Sequence, residues 1–260
     1  MTLTVARQMI GAEILKVRRN RSVMAFAWLL TVGVVVLMFG YIAIGHASNP
    51  VQNGPAGGIN GFRHGIRDLG EFFGMLAAVL IGAEVGTADL SSGVFRDLVS
   101  TGRSRLALFW VRLPAAAIVT LFMTGVSYAL VLVATFVFAD GSPTPGLGVI
   151  LQGAGWIVLA NLVVTAVAVG IGSLTGSRAL TLTAVIGWQA ILTNILVNVS
   201  SLGSARDALL TPALTNLEPI SFGNKDGSVL MGTGVAIVVI AAWLAIPQLL
   251  GAWRTRTRDA

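Results

Sequence analysis

The chain has 260 residues, 55% of them apolar and only 11% charged, with a formal net charge of +6 and a mean hydropathy of +0.84. A soluble domain carries about a quarter charged residues, so this composition excludes a water-coated globule, and its apolar content excludes a disordered chain. There is no cysteine, which excludes disulfides, thiol nucleophiles and cysteine-held metal or iron–sulfur centres. The class that remains is an all-α integral membrane protein, in which backbone polar groups are satisfied inside helices.

In chain order, residues 1–21 come first. Leu3, Ala6, Ile10, Ile14 and Val17 fall on one helical face beside Arg7, Lys16, Arg18 and Arg19. That pattern predicts an amphipathic helix lying along a membrane surface. The apolar run after Arg21 is too long for a signal peptide and lacks a small-residue cleavage site. Crossing the hydrocarbon takes about 20 residues of helix. Charge-free or nearly charge-free runs predict spans at about 23–45, 72–88, 113–139, 149–174, 179–203 and 229–250, with Glu84 alone interrupting the second. Residues His46 to Arg67, rich in Gly, Asn and Pro, read as a flexible loop. Between the fifth and sixth spans, Ala208, Leu209, Leu210, Ala213, Leu214 and Leu217 recur at helical spacing around Pro212. They predict short helices over about 204–226, too short to span. The whole chain, 1–260, is then one transmembrane domain.

Charge orients this frame. With both termini cytoplasmic, the inner segments hold thirteen basic residues and the outer segments four: Arg63, Arg67, Arg206 and Lys225. That is a strong positive-inside bias. Without the second span, the Arg7–Arg21 cluster would lie opposite the Arg96–Arg112 and Arg254–Arg258 clusters. Trp28, Trp110 and Trp253 fall near the expected inner boundaries, where indole rings favour the interface. Trp156, Trp188 and Trp243 fall deeper and read as packing residues.

The catalytic inventory is nearly empty. Lys16 follows Leu15 and Lys225 follows Asn224, so there is no Gly-Lys-Ser/Thr phosphate loop. No H-E-x-x-H and no G-x-S-x-G occurs. His46 and His64, both expected outside, are a weak basis for a metal site, and no catalytic or metal-binding residue is assigned. A deep acidic relay for proton-coupled transport is also missing from the spans. Gln152, Asn161, Gln189, Asn194 and Asn198 punctuate the fourth and fifth spans. They either bond neighbouring helices or line a substrate path. Gly82 and Gly86 form a small-xxx-small pair that allows close helix approach, a weak indication of a dimer face.

The most specific stretch lies between the second and third spans, over about 89–112. Glu84 and Asp89 precede Gly93, Val94, Phe95, Arg96 and Leu98, then Gly102, Arg103, Ser104, Arg105 and Arg112. A mere connection needs neither an apolar ridge nor spaced arginines. Val94, Phe95 and Leu98 suit a partner's cleft, with Arg96, Arg103 and Arg105 positioning the contact; a basic loop on anionic lipid is the alternative. This pattern resembles the inner-loop motif of ABC-type-2 transporter permeases. Gly93, Arg96, Leu98, Ser104, Arg105 and Arg112 match by position, while Val94 stands where Thr is usual and Gly102 where Pro is commoner.

The resemblance implies the permease half of an ABC exporter in a bacterial plasma membrane. It implies pairing with a second permease copy or a homologous permease. Separate ATPase subunits, carrying ATP and Mg, would dock on the inner loop, which acts in the family as a coupling helix. No cofactor is expected in this chain. Its other expected partner is the lipid bilayer, with no nucleic acid. A stand-alone secondary transporter or channel and a non-transporting membrane scaffold are the alternatives.

Overall fold

A computed structural model describes residues 2–100, 102–219, 229 and 231–257. The described residues form helices and connections with no strand among them. Helix α1 covers Leu3–Arg19. Asn20 leaves helical geometry and its side-chain carbonyl accepts from the Val23 amide at 3.4 Å, which caps the next helix. That helix, α2, is Arg21–Ser48, and α3 is Gly58–Ser91. The short α4 is Val94–Ser100. Then come α5 (Arg105–Val137, with a turn at Val111), α6 (Leu147–Thr175) and α7 (Arg178–Val197). A 3₁₀ segment at Ser200–Ala208 leads to α8, Leu210–Asn216. Helix α9 is Thr233–Thr257. Six of these, α2, α3, α5, α6, α7 and α9, are long and apolar enough to cross a membrane, and the chain is a multi-pass membrane protein by that measure.

The core is the α3–α6 pair. In hydrocarbon, helices associate through close packing and not through water exclusion, so small residues gather where they meet. A methyl group on Gly82 would stand 2.7 Å from the Ala168 Cβ, and one on Gly86 would stand 2.8 Å from the Val169 carbonyl oxygen. The glycine pair is therefore consumed inside the chain, against α6, and does not provide the face for a second copy. Around it gather Met75, Ala78, Val79, Ala160, Val163, Val164 and Val167. Helix α9 closes on the other side of α6, where Gly170 and Gly251 meet backbone to backbone. Helix α7 is the most peripheral, with 22% of its apolar window buried against 72% for α6.

Several boundaries differ from those read in the sequence. The segment taken as a flexible loop is helical from Gly58 onward, and α3 is one element of 34 residues. Phe62, Ile66 and Leu69 are fully or almost fully buried on one face, and the absent side chain of Gly65 admits the Val131 side chain. Tertiary packing overrides the poor helix propensity of glycine here. Only residues 49–57 connect α2 and α3. The expected fifth span stops at Val197: Val199 turns extended, and the chain then tightens into 3₁₀ turns over Ser200–Ala208, kinked at Gly203 with a positive φ. The last helix runs to Thr257, past the expected end at 250, with Arg254 and Arg256 in its final turn, where cations favour the helix dipole. Within the short helices expected over about 204–226, Leu210–Asn216 is helical; residues 220–228 lie outside the described residues.

Three helices carry a wide π-turn, at Leu29–Gly33, Asp68–Phe72 and Gly187–Leu192. In α3 this turn leaves the Leu69 carbonyl to a side chain of another helix: Asn161 Nδ2 donates to it at 3.0 Å and to its own Ile157 carbonyl at 2.9 Å.

Candidate functional site

At one end of the bundle, side chains from five helices meet around four charged groups, Glu13, Lys16, Asp89 and Arg112. Helix α1 contributes Glu13 and Lys16, one turn apart. The Lys16 ammonium lies 2.6 Å from Glu13 Oε1 and 2.7 Å from Asp89 Oδ1 at the end of α3. The other Asp89 oxygen is 3.7 Å from the Arg112 guanidinium of α5. Arg112 is wholly buried. Its Nη1 donates to Ser173 Oγ of α6 at 3.1 Å, and Ser173 Oγ donates to the Gly86 carbonyl at 3.3 Å. The guanidinium carbon stands 5.8 Å from the centre of the Phe95 ring, a cation–π distance that brings in α4.

A second pair lies beside this network. Glu84 of α3 accepts from Asn20 Nδ2 at 2.7 Å and pairs with Arg178 at the start of α7 at 3.0 Å. Asn20 thus ends α1, caps α2 and anchors the break to α3. Arg105 reaches the Arg256 carbonyl of α9 at 3.3 Å.

Two carboxylates share the Lys16 ammonium. Burial, followed by repulsion from Asp89, raises the Glu13 pKa above its ordinary value. Burial acts against the Lys16 charge, but hydrogen bonds to Asp89 and Glu13 outweigh it and raise its pKa. The ammonium is fixed in its charged form, which makes it a permanent tie between α1 and α3. The cluster is a continuous network of ion pairs and hydrogen bonds. It joins the root of the 89–112 segment to four neighbouring helices.

The residues singled out for that segment divide into two sets. Asp89, Phe95 and Arg112 face inward and are buried. Arg96, Arg103 and Gly93 are exposed, Gly93 with a positive φ that turns the chain between α3 and α4, while Leu98 and Arg105 are half-buried. Phe95 therefore does not fill a partner's cleft; its ring is spent on Arg112. Val94 keeps an exposed apolar side chain. Glu84 lies within α3, where it pairs with Arg178.

Hydrogen bonds do not join the five amides considered for a substrate path into one chain. Asn161 is fully buried and bridges α6 to α3. The buried Gln189 accepts from Thr211 Oγ1 at 3.3 Å, which links α7 to α8. Asn194 and Asn198 are on the exposed side of α7, each donating to a carbonyl of its own helix. Gln152 lines a cavity of about 230 Å³ with Gly155, Trp156, Leu159, Leu217 and Pro219. The histidines face different partners: His46 lies between the Asn53 carbonyl and Asp140, and His64 meets the Asn60 carbonyl. Among the described residues no group of three or more His, Asp or Glu is placed to hold a metal.

Glu13, Lys16, Asn20 and Ser173 were missed as site residues. The one local signal was an acid one turn from a lysine in an otherwise basic segment. No family model and no curated protein matches this sequence.

Proposed function

We propose that the chain is the transmembrane permease subunit of an ABC exporter in a bacterial plasma membrane, driven by separate ATPase subunits that dock on the 89–112 segment. The observation that carries this reading is the construction of α4. It is a short helix held from beneath by Phe95 on the buried Arg112, while Val94, Arg96 and Arg103 remain on its exposed side and in the following loop. A push on α4 reaches α5 through Arg112, and Asp89 carries it on to α3 and, through Lys16, to α1. That arrangement suits a device that passes ATP-driven closure of a partner into helix motion. The positive-inside pattern supports a cytoplasmic position for this end and both termini. In the same orientation α1, with Arg7, Arg18 and Arg19 on it, would lie along the inner membrane surface.

In this reading two permeases pair and substrate leaves between them. The chain supplies the path, while ATP and Mg act on the partner. Affinity purification in mild detergent tests the assignment. A stoichiometric partner with a phosphate-binding loop is expected, and Arg96→Glu with Arg103→Glu should release it without loss of folded protein. Retention of that partner by the double reversal would remove the docking surface from α4. Absence of any ATPase under several mild conditions would move the assignment to a secondary transporter or scaffold.

A further inference from the structure

At the end of the bundle opposite the charged junction, the short helix α8 is tied down by four bonds. Trp156 of α6 donates to the Leu214 carbonyl at 2.8 Å, and Asn216 Nδ2 donates to the Met231 carbonyl at 2.8 Å. Thr211 donates to Gln189 of α7 at 3.3 Å. Thr215 Oγ1 donates to Glu71 Oε1 of α3 at 2.9 Å. The second oxygen of Glu71 is held by Arg67 Nε at 2.9 Å. Glu71 lies in the π-turn of α3, the kind of local widening that recurs at functional sites.

Two residues beyond α8, Glu218 brings a second carboxylate toward this one. Its Oε1 is shut off from water with no hydrogen-bond partner. The charged groups acting on it are Glu71, Arg67 and Arg63, all from α3. Asp68 and His64 occupy neighbouring positions of the same helix. Helix α6 contributes no titratable residue at all, and the charged residues of α9 in the described range, Arg254 and Arg256, are at its far end. Arg67 is already engaged by Glu71.

We propose that Glu218 and Glu71 form a proton-binding pair that latches α8 onto α3, docked when Glu218 carries the proton and loosened when it ionises. The geometry provides one carboxylate whose two oxygens are both occupied and a second whose buried oxygen has no partner. A proton on Glu218 removes its repulsion from Glu71. Burial first, then repulsion from Glu71, raises the Glu218 pKa from 4.5 to about 7. The sign follows: docked α8 favours the protonated form of Glu218, so docking is strongest below the ordinary carboxylate pKa and weakens as pH rises through about 7. Leu217 and Pro219 flank Glu218 and line the cavity beside Trp156 and Gln152, so loosening the latch reshapes that cavity. This inference does not depend on the exporter reading.

The natural chain lacks cysteine, so one introduced thiol is a clean reporter. Ala213→Cys places it on the fully buried face of α8, and Ser204→Cys gives an exposed reference. The ratio of their labelling rates by a membrane-impermeant thiosulfonate would be followed from about pH 5 to about pH 9. A severalfold rise with a midpoint near 7 is expected with Glu218 present. Glu218→Gln should hold the ratio at its low value, and Glu71→Gln should move the midpoint toward acid. A flat ratio with Glu218 present, or a rise that survives Glu218→Gln, overturns the proposal. Should Ala213→Cys fail to fold, amide hydrogen exchange of residues 210–216 in the natural chain and in Glu218→Gln, corrected for intrinsic pH dependence, decides in the same way.

Discussion

Arg112 shows how one side chain can be both the least tolerable and the most useful in a membrane protein. A guanidinium with no exposed surface persists only with neutralising and hydrogen-bonding company. Asp89, Ser173 and the Phe95 ring supply it. Lys16 shares the same carboxylate but keeps 37% of its side chain in contact with solvent. The two losses are therefore unequal. Asp89→Asn should cost about 3–5 kcal/mol, the usual penalty for breaking a buried pair and stranding a charge. Lys16→Met should cost clearly less, since the cation removed was partly solvated. Thermal unfolding in one detergent, with both single variants and the double, checks the order and the coupling between them. Arg112, Asp89 and Phe95 were legible in the sequence as members of a spaced motif. Their inward direction was not, because whether a residue of a short loop helix faces partner or bundle is decided by neighbours far away in sequence.

At the scale of elements, α1 is held by charge as well as by Val17 and Ile14. The raised Lys16 pKa means that its contribution is complete below 10.5 and is lost only as pH climbs past the still higher folded value. The Lys16 contribution should therefore show as a rise in protease accessibility of α1 in strong alkali, and that alkaline step should be absent in Lys16→Met. Helix α3 makes a second prediction. Gly82→Val puts side-chain atoms where even a methyl is 2.7 Å from Ala168, and overpacking should lower stability by about 1–3 kcal/mol, read as a fall in Tm. The first turns of α3 show why a boundary was missed. Phe62, Ile66 and Leu69 do follow helical spacing, but Gly58, Gly61 and Gly65 between them read as loop residues. Those glycines serve close contact with Ala56, Val131 and Ser142, which is a property of the folded bundle and is invisible in a single segment.

For the whole molecule, the six apolar helices were legible because long stretches without charge leave the chain few alternatives. Which helices form the centre was not, since α2 and α6 are equally apolar by eye. Burial separates them: 28% of the α2 window against 72% for α6. The distinction rests on alanine, glycine and serine at contact positions such as Ala168, Gly172 and Ser173. A bundle with one central pair and a peripheral α7 should respond unevenly to heat. Hydrogen exchange should show α3 and α6 protected longest and α7 opening first.

The junction also imposes an order on biosynthesis. Arg112 leaves the ribosome 61 residues ahead of Ser173, so α5 must enter the membrane before α6 can offer its hydroxyl. Lys16, Asp89 and Phe95 are already made by then. The nascent chain thus carries its counter-ion in advance of the arginine, and the early half of the protein can shelter that charge while the later half is still being synthesised.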